Sequence, residues 1–279
     1  MTLPEFATRR QSFRKLHHSG CFVMPNPWDA GSARYLRGLG FPALATTSAG
    51  FAFSRGLPDG QAKLDGVLAH FREIVAAVDV PVNADFEAGY ARDLAGLARN
   101  VRACVETGVA GLSIEDASGD VAHPLFDLPE AVERMHAARA AIDETKSGVL
   151  LTGRAECFLV GHADPFAECV RRLTAYAEAG ADVLYAPGID EPGSIKALLA
   201  ALPPKPVNIL MSRDSGMTVS QLAELGVRRI SVGSSLARAA WTGFIHAAKA
   251  IARSGSFSGF AGLTPYREVN AFFKQNPEK

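Results

Sequence analysis

The stretch Glu106-Thr107-Gly108-Val109-Ala110-Gly111-Leu112-Ser113-Ile114-Glu115-Asp116 joins the end of an amphipathic helix to a glycine, a short apolar run and two acids. Glycine just past a helix end accepts the left-handed backbone that closes the helix. The same order recurs along the chain. Arg37-Gly38-Leu39-Gly40 precedes Ala43-Leu44-Ala45-Thr46, Glu178-Ala179-Gly180 precedes Asp182-Val183-Leu184-Tyr185, and Glu224-Leu225-Gly226 precedes Arg229-Ile230-Ser231-Val232. Helices feeding short apolar strands at this rhythm imply parallel βαβ units. Strands are expected to begin near Cys21, Ala43, Val82, Gly111, Val149, Val183, Val207 and Arg229, with helical spacing between them, as in Leu64, Val67, Leu68, Phe71, Ile74 and Val75. Eight β/α units in roughly 250 residues is the arithmetic of a (β/α)8 TIM barrel. A doubly wound open sheet is the alternative, but no G-x-G-x-x-G follows the first strand.

No Pro- or Ser-rich linker divides the chain, so residues 1–279 are expected to form one barrel domain, with 254–279 as a C-terminal extension. Gly255, Gly259 and Gly262 make a connector there, and Thr264-Pro265-Tyr266 opens a last helix carrying Val269 and Phe272-Phe273. Those aromatics need a partner, either their own barrel or a neighbouring subunit.

Composition narrows the function. Lys plus Arg equals Asp plus Glu at 29 each, and no basic run exceeds a pair, so a nucleic-acid surface is not indicated. With 48% hydrophobic residues the chain can build a large core, yet no apolar run approaches membrane-spanning length. Met1 to Ser19 is charged and has no apolar leader-like segment. Cys21, Cys104, Cys157 and Cys169 show no C-x-x-C spacing and suit a reducing compartment. The expectation is a cytoplasmic enzyme with no membrane partner.

In a (β/α)8 barrel the active site lies at the C-terminal ends of the strands. Those ends supply Asn26, Trp28 and Asp29; Thr46, Thr47 and Ser48, then a loop to Asp59; Asp85 and Glu87; Glu115 and Asp116; Arg154 and Glu156; Tyr185; Asn208; and Gly233, Ser234 and Ser235. Alternation along a strand puts positions i and i+2 on one side, so Asp85 and Glu87 should converge. Carboxylates at adjacent strand ends repel unless a cation sits among them, and oxygen donors suit Mg²⁺ or Mn²⁺. An acidic cluster facing one arginine suggests an anionic small-molecule substrate, chelated on one side and clamped on the other.

These residues carry a resemblance. Thr46-Thr47-Ser48-Ala49-Gly50 with Gly56-Leu57-Pro58-Asp59, Asn83-Ala84-Asp85-Phe86-Glu87-Ala88-Gly89-Tyr90, Ser113-Ile114-Glu115-Asp116 and Gly153-Arg154-Ala155-Glu156 are similar to motifs of the isocitrate lyase/phosphoenolpyruvate mutase superfamily, over about Phe13 to Ala240. The resemblance implies a Mg²⁺-dependent barrel that makes or breaks C–C or P–C bonds in 2-oxo or 2-hydroxy carboxylates through an enolate-like state. It also implies a homo-oligomer, a dimer or tetramer, in which the last helix is exchanged between subunits. Carried over, Asp85 is the direct metal ligand, Glu87 and Glu115 hold the metal's waters, and Asp59 supports that shell. Glu87 stands where the family more often has Asp. Thr47 and Ser48 would bind a substrate carboxylate, Arg154 would clamp the anionic end, and Tyr185 and Asn208 would shape substrate choice.

The departure lies after the fourth strand. The family's lyases carry a Lys-x-Cys-Gly-His-type motif there, and its mutases and phosphonopyruvate hydrolases Lys-x-Asn. Asp116-Ala117-Ser118-Gly119-Asp120-Val121-Ala122-His123-Pro124 has neither Lys nor Cys. That weighs against isocitrate-type cleavage and phosphoryl transfer. It leaves decarboxylation of an oxaloacetate-like acid or cleavage of a substituted malate, with His123 as the expected proton donor beside Arg154 and Asp59. The alternatives are a P–C bond enzyme, a non-catalytic metabolite-binding barrel, and a phosphate-binding barrel built on Val232-Gly233-Ser234-Ser235-Leu236. Against a Schiff-base version of the last, none of the eight lysines falls at an expected strand end. Asp116 has an equally good structural reading, as a cap or a salt-bridge partner.

Overall fold

The computed structural model describes residues 3–276. Helix α1 (Leu3–Leu16) precedes an alternation of β1 (Phe22–Met24), α2 (Ala30–Gly38), β2 (Leu44–Ala45), α3 (Ser48–Ser54), α4 (Leu64–Ala77), β3 (Val82–Asp85), α5 (Leu94–Glu106), β4 (Gly111–Glu115) and α6 (Leu128–Glu144). It continues with β5 (Leu150–Arg154), α7 (Pro165–Glu178), β6 (Val183–Tyr185), α8 (Pro192–Ala201), β7 (Val207–Leu210), α9 (Val219–Glu224), β8 (Arg229–Ser231), α10 (Ser235–Ser254) and α11 (Tyr266–Gln275). Every strand begins within one residue of its expected start.

The eight strands form a single parallel sheet in the order β1-β8-β7-β6-β5-β4-β3-β2, a nearly closed (β/α)8 barrel. Individual bonds bridge the seam between β1 and β2. Ala45 N–H donates to Pro25 O (3.1 Å), and the Asn26 amide donates to Thr46 O (2.8 Å). Asn26 Oδ1 in turn accepts from Val232 N–H (2.9 Å) and Gly233 N–H (3.0 Å). One buried side chain thus ties the ends of β1, β2 and β8 across the gap in the ladder.

Two apolar bodies hold the barrel. The larger lies between sheet and helices, where the α4 stripe Val67, Leu68, Phe71, Ile74 and Val75 is buried as its spacing implies. The smaller fills the N-terminal end of the barrel, where Phe13 of α1 meets Phe22, Met24, Ala43, Ala45 and Leu150. Helix α1 is pinned across that end by Arg10, which donates to Val109 O (3.0 Å) and Val105 O (2.8 Å). With the N-terminal end plugged, the cavity can open only at the strands' C-terminal ends.

Helix α3 stands where a loop to Asp59 was expected. Thr47 caps it, accepting from Gly50 N–H (3.2 Å). Gly50 has no alternative, because a Cβ there would lie 2.5 Å from Thr47 Cγ2 and 3.1 Å from Trp28 Cβ.

Helix α10 is a different object from its neighbours. Only Ala237 of its 20 residues is buried, and Trp241, Phe244, Ile245 and Ile251 are exposed. Beyond it, α11 forms as expected and packs on α2 of the same chain. The Phe272 and Tyr35 rings lie 4.4 Å apart, Arg34 sits over Phe273 (5.4 Å), and Arg34 donates to Asn276 O (2.6 Å). Gly38 permits the approach, since a Cβ there would lie 2.3 Å from Phe272 Cζ. The aromatic pair therefore has a partner within its own chain, and exchange between subunits is not shown by this packing. Residues 277–279 of the expected extension lie outside the described residues. Among the described residues no helix is long and apolar enough to cross a membrane.

Candidate active site

At the C-terminal mouth of the barrel a cavity of about 200 Å³ is lined by Asn26, Thr47, Ser48, Asp59, Asn83, Asp85, Ser113, Arg154, Tyr185, Asn208, Arg229, Ser231, Gly233 and Ser234, among others. Its centre of charge is Arg154, at the last position of β5. That guanidinium meets Asp85 Oδ1 (3.2 Å), Glu115 Oε2 (3.2 Å) and Glu156 Oε1 at once, and stacks over the Tyr185 ring (5.2 Å). Burial alone would lower its pKa, but Glu115, Glu156, Tyr185 and Asp85 outweigh burial and hold it well above the ordinary value.

The acids outnumber their counterion and are buried, and burial is the largest cause of their raised proton affinities. Burial drives Glu115 well above the ordinary carboxylate range; Arg154 opposes the shift while Glu156, Asp85 and Glu87 add to it. Burial likewise raises Glu156, against Arg154. Glu87 is pushed up to about 7, chiefly by desolvation, with Asp85 and Asp59 adding to it and the Tyr90 hydroxyl opposing. Asp59 is raised by desolvation and by Asp85.

Asp85 already shows what a carboxylate does here. Its Oδ2 accepts from both Ser48 N–H and Ser48 Oγ–H (2.9 Å each), and its own N–H donates to Thr46 Oγ1 (2.9 Å). The cradle expected to bind a substrate carboxylate therefore binds a carboxylate, that of Asp85. Thr47 lines the cavity, but its hydroxyl is engaged in capping α3.

Several expected residues are placed differently from the simple strand picture. Strand β3 ends at Asp85, so alternation does not carry Glu87 to the same side. A left-handed turn does the work, with Glu87 at φ 47° and Tyr90 at φ 54°, a conformation that costs energy for residues with a Cβ. The Tyr90 hydroxyl donates to Glu87 Oε1 (2.8 Å), and Glu115 N–H donates to Glu87 O (3.0 Å). Glu87 and Glu115 stand beside Asp85 and are not among the cavity's lining residues.

His123 is not brought to the cavity. Its side chain is 85% exposed on the β4–α6 loop and faces Asp120 (3.7 Å), and Ser118 Oγ–H bonds His123 O within the same loop. Asp116 proves structural: it accepts from Glu156 N–H (2.8 Å), Arg172 Nη1–H (3.1 Å) and the Tyr176 hydroxyl (2.6 Å). Trp28 lies in an outer groove with Phe273, and Cys157 is fully buried. Tyr185 and Asn208 do line the cavity. Sequence reasoning gave no role to Asn83, Ser113, Arg229 or Ser231. The signal available was period-two alternation, which aligns Asn83 with Asp85 and Arg229 with Ser231 on one face.

The donor set fits a hard cation. All candidates are carboxylate oxygens, and burial, more than their mutual repulsion, makes them reluctant to ionise beside the single guanidinium of Arg154. Among the described residues no three His, Cys, Asp or Glu side chains converge as a closed coordination set.

Comparison with known proteins agrees with this architecture. The sequence profile of the phosphoenolpyruvate phosphomutase family matches residues 13–252. The fold is similar to a Burkholderia cenocepacia J2315 protein provisionally described as a lyase or mutase, with 43% identity, TM-score 0.92, and 97% and 98% of the two chains covered. An uncharacterized Mycobacterium tuberculosis H37Rv protein is 34% identical over 93% of this chain and 95% of its own. Oxaloacetate acetylhydrolase, solved with its product oxalate, is 26% identical with TM-score 0.82, covering 96% and 95% of the chains.

A pH dependence follows from Glu87. Its folded pKa lies above the unfolded value, so the folded protein holds a proton that the unfolded chain has released, and stability falls as pH rises from 4.5 through about 7. In chelator-treated protein, Glu87→Gln should raise the melting temperature at pH 8 by roughly 5–10 °C and change it little at pH 4. Scanning calorimetry at the two pH values checks this; an equal effect at both would show that charge on Glu87 is not the cause.

Proposed function

The chain belongs to the phosphoenolpyruvate phosphomutase family, within a superfamily of lyases and mutases. From that premise we propose that it is a divalent-metal-dependent lyase acting on a 2-oxo or 2-hydroxy carboxylate, by C–C cleavage or decarboxylation. The observation that carries the proposal is the excess of carboxylates over Arg154 at one mouth of the barrel. Asp85 would hold Mg²⁺ or Mn²⁺ directly, Glu87 and Glu115 would hold its waters, and Asp59 would support them. When bound, the cation supplies positive charge to the oxygen on which negative charge develops as the bond to C3 breaks.

The chain's own residues do the rest. Arg154, with a planar fork of donors, clamps a carboxylate and is held in orientation by Glu115, Glu156 and the Tyr185 face. Ser48 offers an N–H and a hydroxyl to a carboxylate, donors now given to Asp85, so Asp85 leaves that cradle when substrate enters it. Tyr185 and Asn208 line the wall and limit what fits. With no Lys or Cys on the β4–α6 loop and His123 turned to solvent, the departing carbanion takes its proton from water. Decarboxylation of an oxaloacetate-like acid needs no more than this. Loop closure that brought His123 inward would restore a protein acid, and loss of turnover in His123→Asn would reveal it.

We also propose that the protein, cytoplasmic in the cell, is a homo-oligomer built on α10, whose apolar residues Trp241, Phe244 and Ile245 are left exposed by its own barrel. Sedimentation should show an oligomer for the wild type and a monomer for Trp241→Glu with Phe244→Glu; a wild-type monomer contradicts it.

The functional proposal is tested by calorimetric titration of oxalate, a planar mimic of the pyruvate enolate. Binding should require Mg²⁺ or Mn²⁺ and be lost in Asp85→Ala. Binding indifferent to metal and to Asp85 would point instead to the cradle of Gly233 and Ser234 at the start of α10. Metal-dependent binding without turnover of 2-oxo and 2-hydroxy di- and tricarboxylates would identify a non-catalytic metabolite-binding barrel.

A further inference from the structure

The first residue of β8 places a charge inside the barrel that the acid cluster does not use. Arg229 is 1% exposed, and its guanidinium is met by neutral groups. Nε–H donates to Asn208 Oδ1 (2.9 Å), Nη2–H donates to Thr152 Oγ1 (3.1 Å), and Nη1 lies 3.5 Å from His17 Nε2. The His17 tautomer is determined by its other nitrogen: Nδ1 faces Phe13 O (2.8 Å), which only accepts, so Nε2 is the acceptor. His17 stays neutral, its pKa lowered to about 3 by burial and by Arg229 itself. Arg229 has no anionic partner among these contacts, and burial lowers its own pKa to about 9.

An unpaired buried guanidinium is costly, and an apolar side chain would fill the same space without that cost. Two further facts bear on why it is there. Arg229 lines the cavity together with Asn208, Ser231 and Asn83, and a guanidinium carries five N–H donors, of which the contacts above engage three. Asn83, 4% exposed on the same wall, donates to Ala84 O (3.2 Å) but has no partner for its Oδ1. A buried cation with spare donors and a buried acceptor with none to serve it both face the cavity.

The strand register relates this wall to the proposed clamp, Arg154. Arg154 pairs with Tyr185, Tyr185 with Asn208, and Asn208 with Arg229. The two arginines thus close the two ends of one row of residues, three strand spacings or roughly 14 Å apart at Cα. Asn208 is held between them, accepting from Arg229 and donating to Ser231 Oγ (2.9 Å).

We propose that Arg229, with Asn208 and Ser231, forms a carboxylate-binding subsite inside the cavity, distinct from Arg154 and the Ser48 cradle, and that it receives the distal carboxylate of the dicarboxylate substrate. Asn83 Oδ1 accepts from a hydroxyl or an ordered water beside it. The inference rests on the cavity being the substrate site and deepens that reading by assigning the residues that hold the substrate's distal carboxylate. Arg229 is a specificity-determining residue in this account: it acts on the end of the substrate remote from the metal.

Matched ligands isolate the distal group. In Mg²⁺, calorimetry compares 2-oxoglutarate with 2-oxopentanoate and 2-oxoadipate with 2-oxohexanoate, pairs that differ only by the distal carboxylate, with oxalate as the probe of the metal end. The wild type should prefer the dicarboxylate of at least one pair about tenfold or more, the effect of one charge-assisted hydrogen-bonded pair. Arg229→Met should bind both members alike, Arg229→Lys should keep part of the preference, and oxalate affinity should stay within about twofold in both variants. Arg229→Gln takes the place of Arg229→Met if circular dichroism shows the latter unfolded. A preference that survives loss of the charge overturns the inference, as does a wild type with no preference in either pair. A parallel fall for oxalate and both pairs overturns it too, showing that Arg229 only supports the barrel. Failure of oxalate to bind the wild type counts against the lyase proposal alone, because the matched-pair comparison repeated without metal still reads Arg229.

Discussion

The site depends on one guanidinium holding several acids together. Arg154 contacts Asp85, Glu115 and Glu156, from β3, β4 and the loop after β5, and none of the three has it to itself. Like charges this close repel, and buried ones resist ionising. The upward shifts at Glu87, Glu115, Glu156 and Asp59 are the measure of that strain. An arginine suits the hub because its planar fork serves several oxygens at once and stays charged throughout the physiological range. What remains beside Arg154 is a set of buried carboxyl groups that ionise reluctantly, and the proposed divalent cation would offset the charge they carry when they do.

The barrel turns this cluster into a site by register. Paired residues of β4 to β8 deliver Glu115, Arg154, Tyr185, Asn208 and Arg229 in sequence around the wall. Asn26 closes the circuit, linking the end of β2 to those of β1 and β8 where no ladder joins β1 to β2. The plug of Phe13 against Phe22, Met24 and Leu150 shuts the opposite end. Function is thereby concentrated at one mouth, with acids and Arg154 at the rim and Arg229 deeper in the wall.

Much of the fold was legible because its signals are local. Glycine after each helix and an apolar run two to four residues later located the strands, and the acids at their ends marked the mouth. What was hidden depended on contacts distant in sequence. Helix α3 looked like a loop because Ser48 and Gly50 are weak helix formers; its cap at Thr47 and the crowding by Trp28 appear only in the fold. His123 was assigned to the pocket from its position after β4, but it stands in solvent on a loop closed on itself by Ser118. Glu87 reaches the cluster by a left-handed turn, where strand alternation would not carry it. Arg229 was read as part of an apolar run, since an arginine opening a strand gives no sign that it points into a barrel.

The central claim is that the acids around Arg154 form one divalent-cation site with Asp85 at its head. Electron paramagnetic resonance titration of Mn²⁺ into the protein without substrate tests it most directly, because free and bound Mn²⁺ are counted separately. The account predicts a single bound ion per chain, displaced by Mg²⁺ and lost in Asp85→Asn. Absence of a saturable site, or a site that survives Asp85→Asn unchanged, would contradict it.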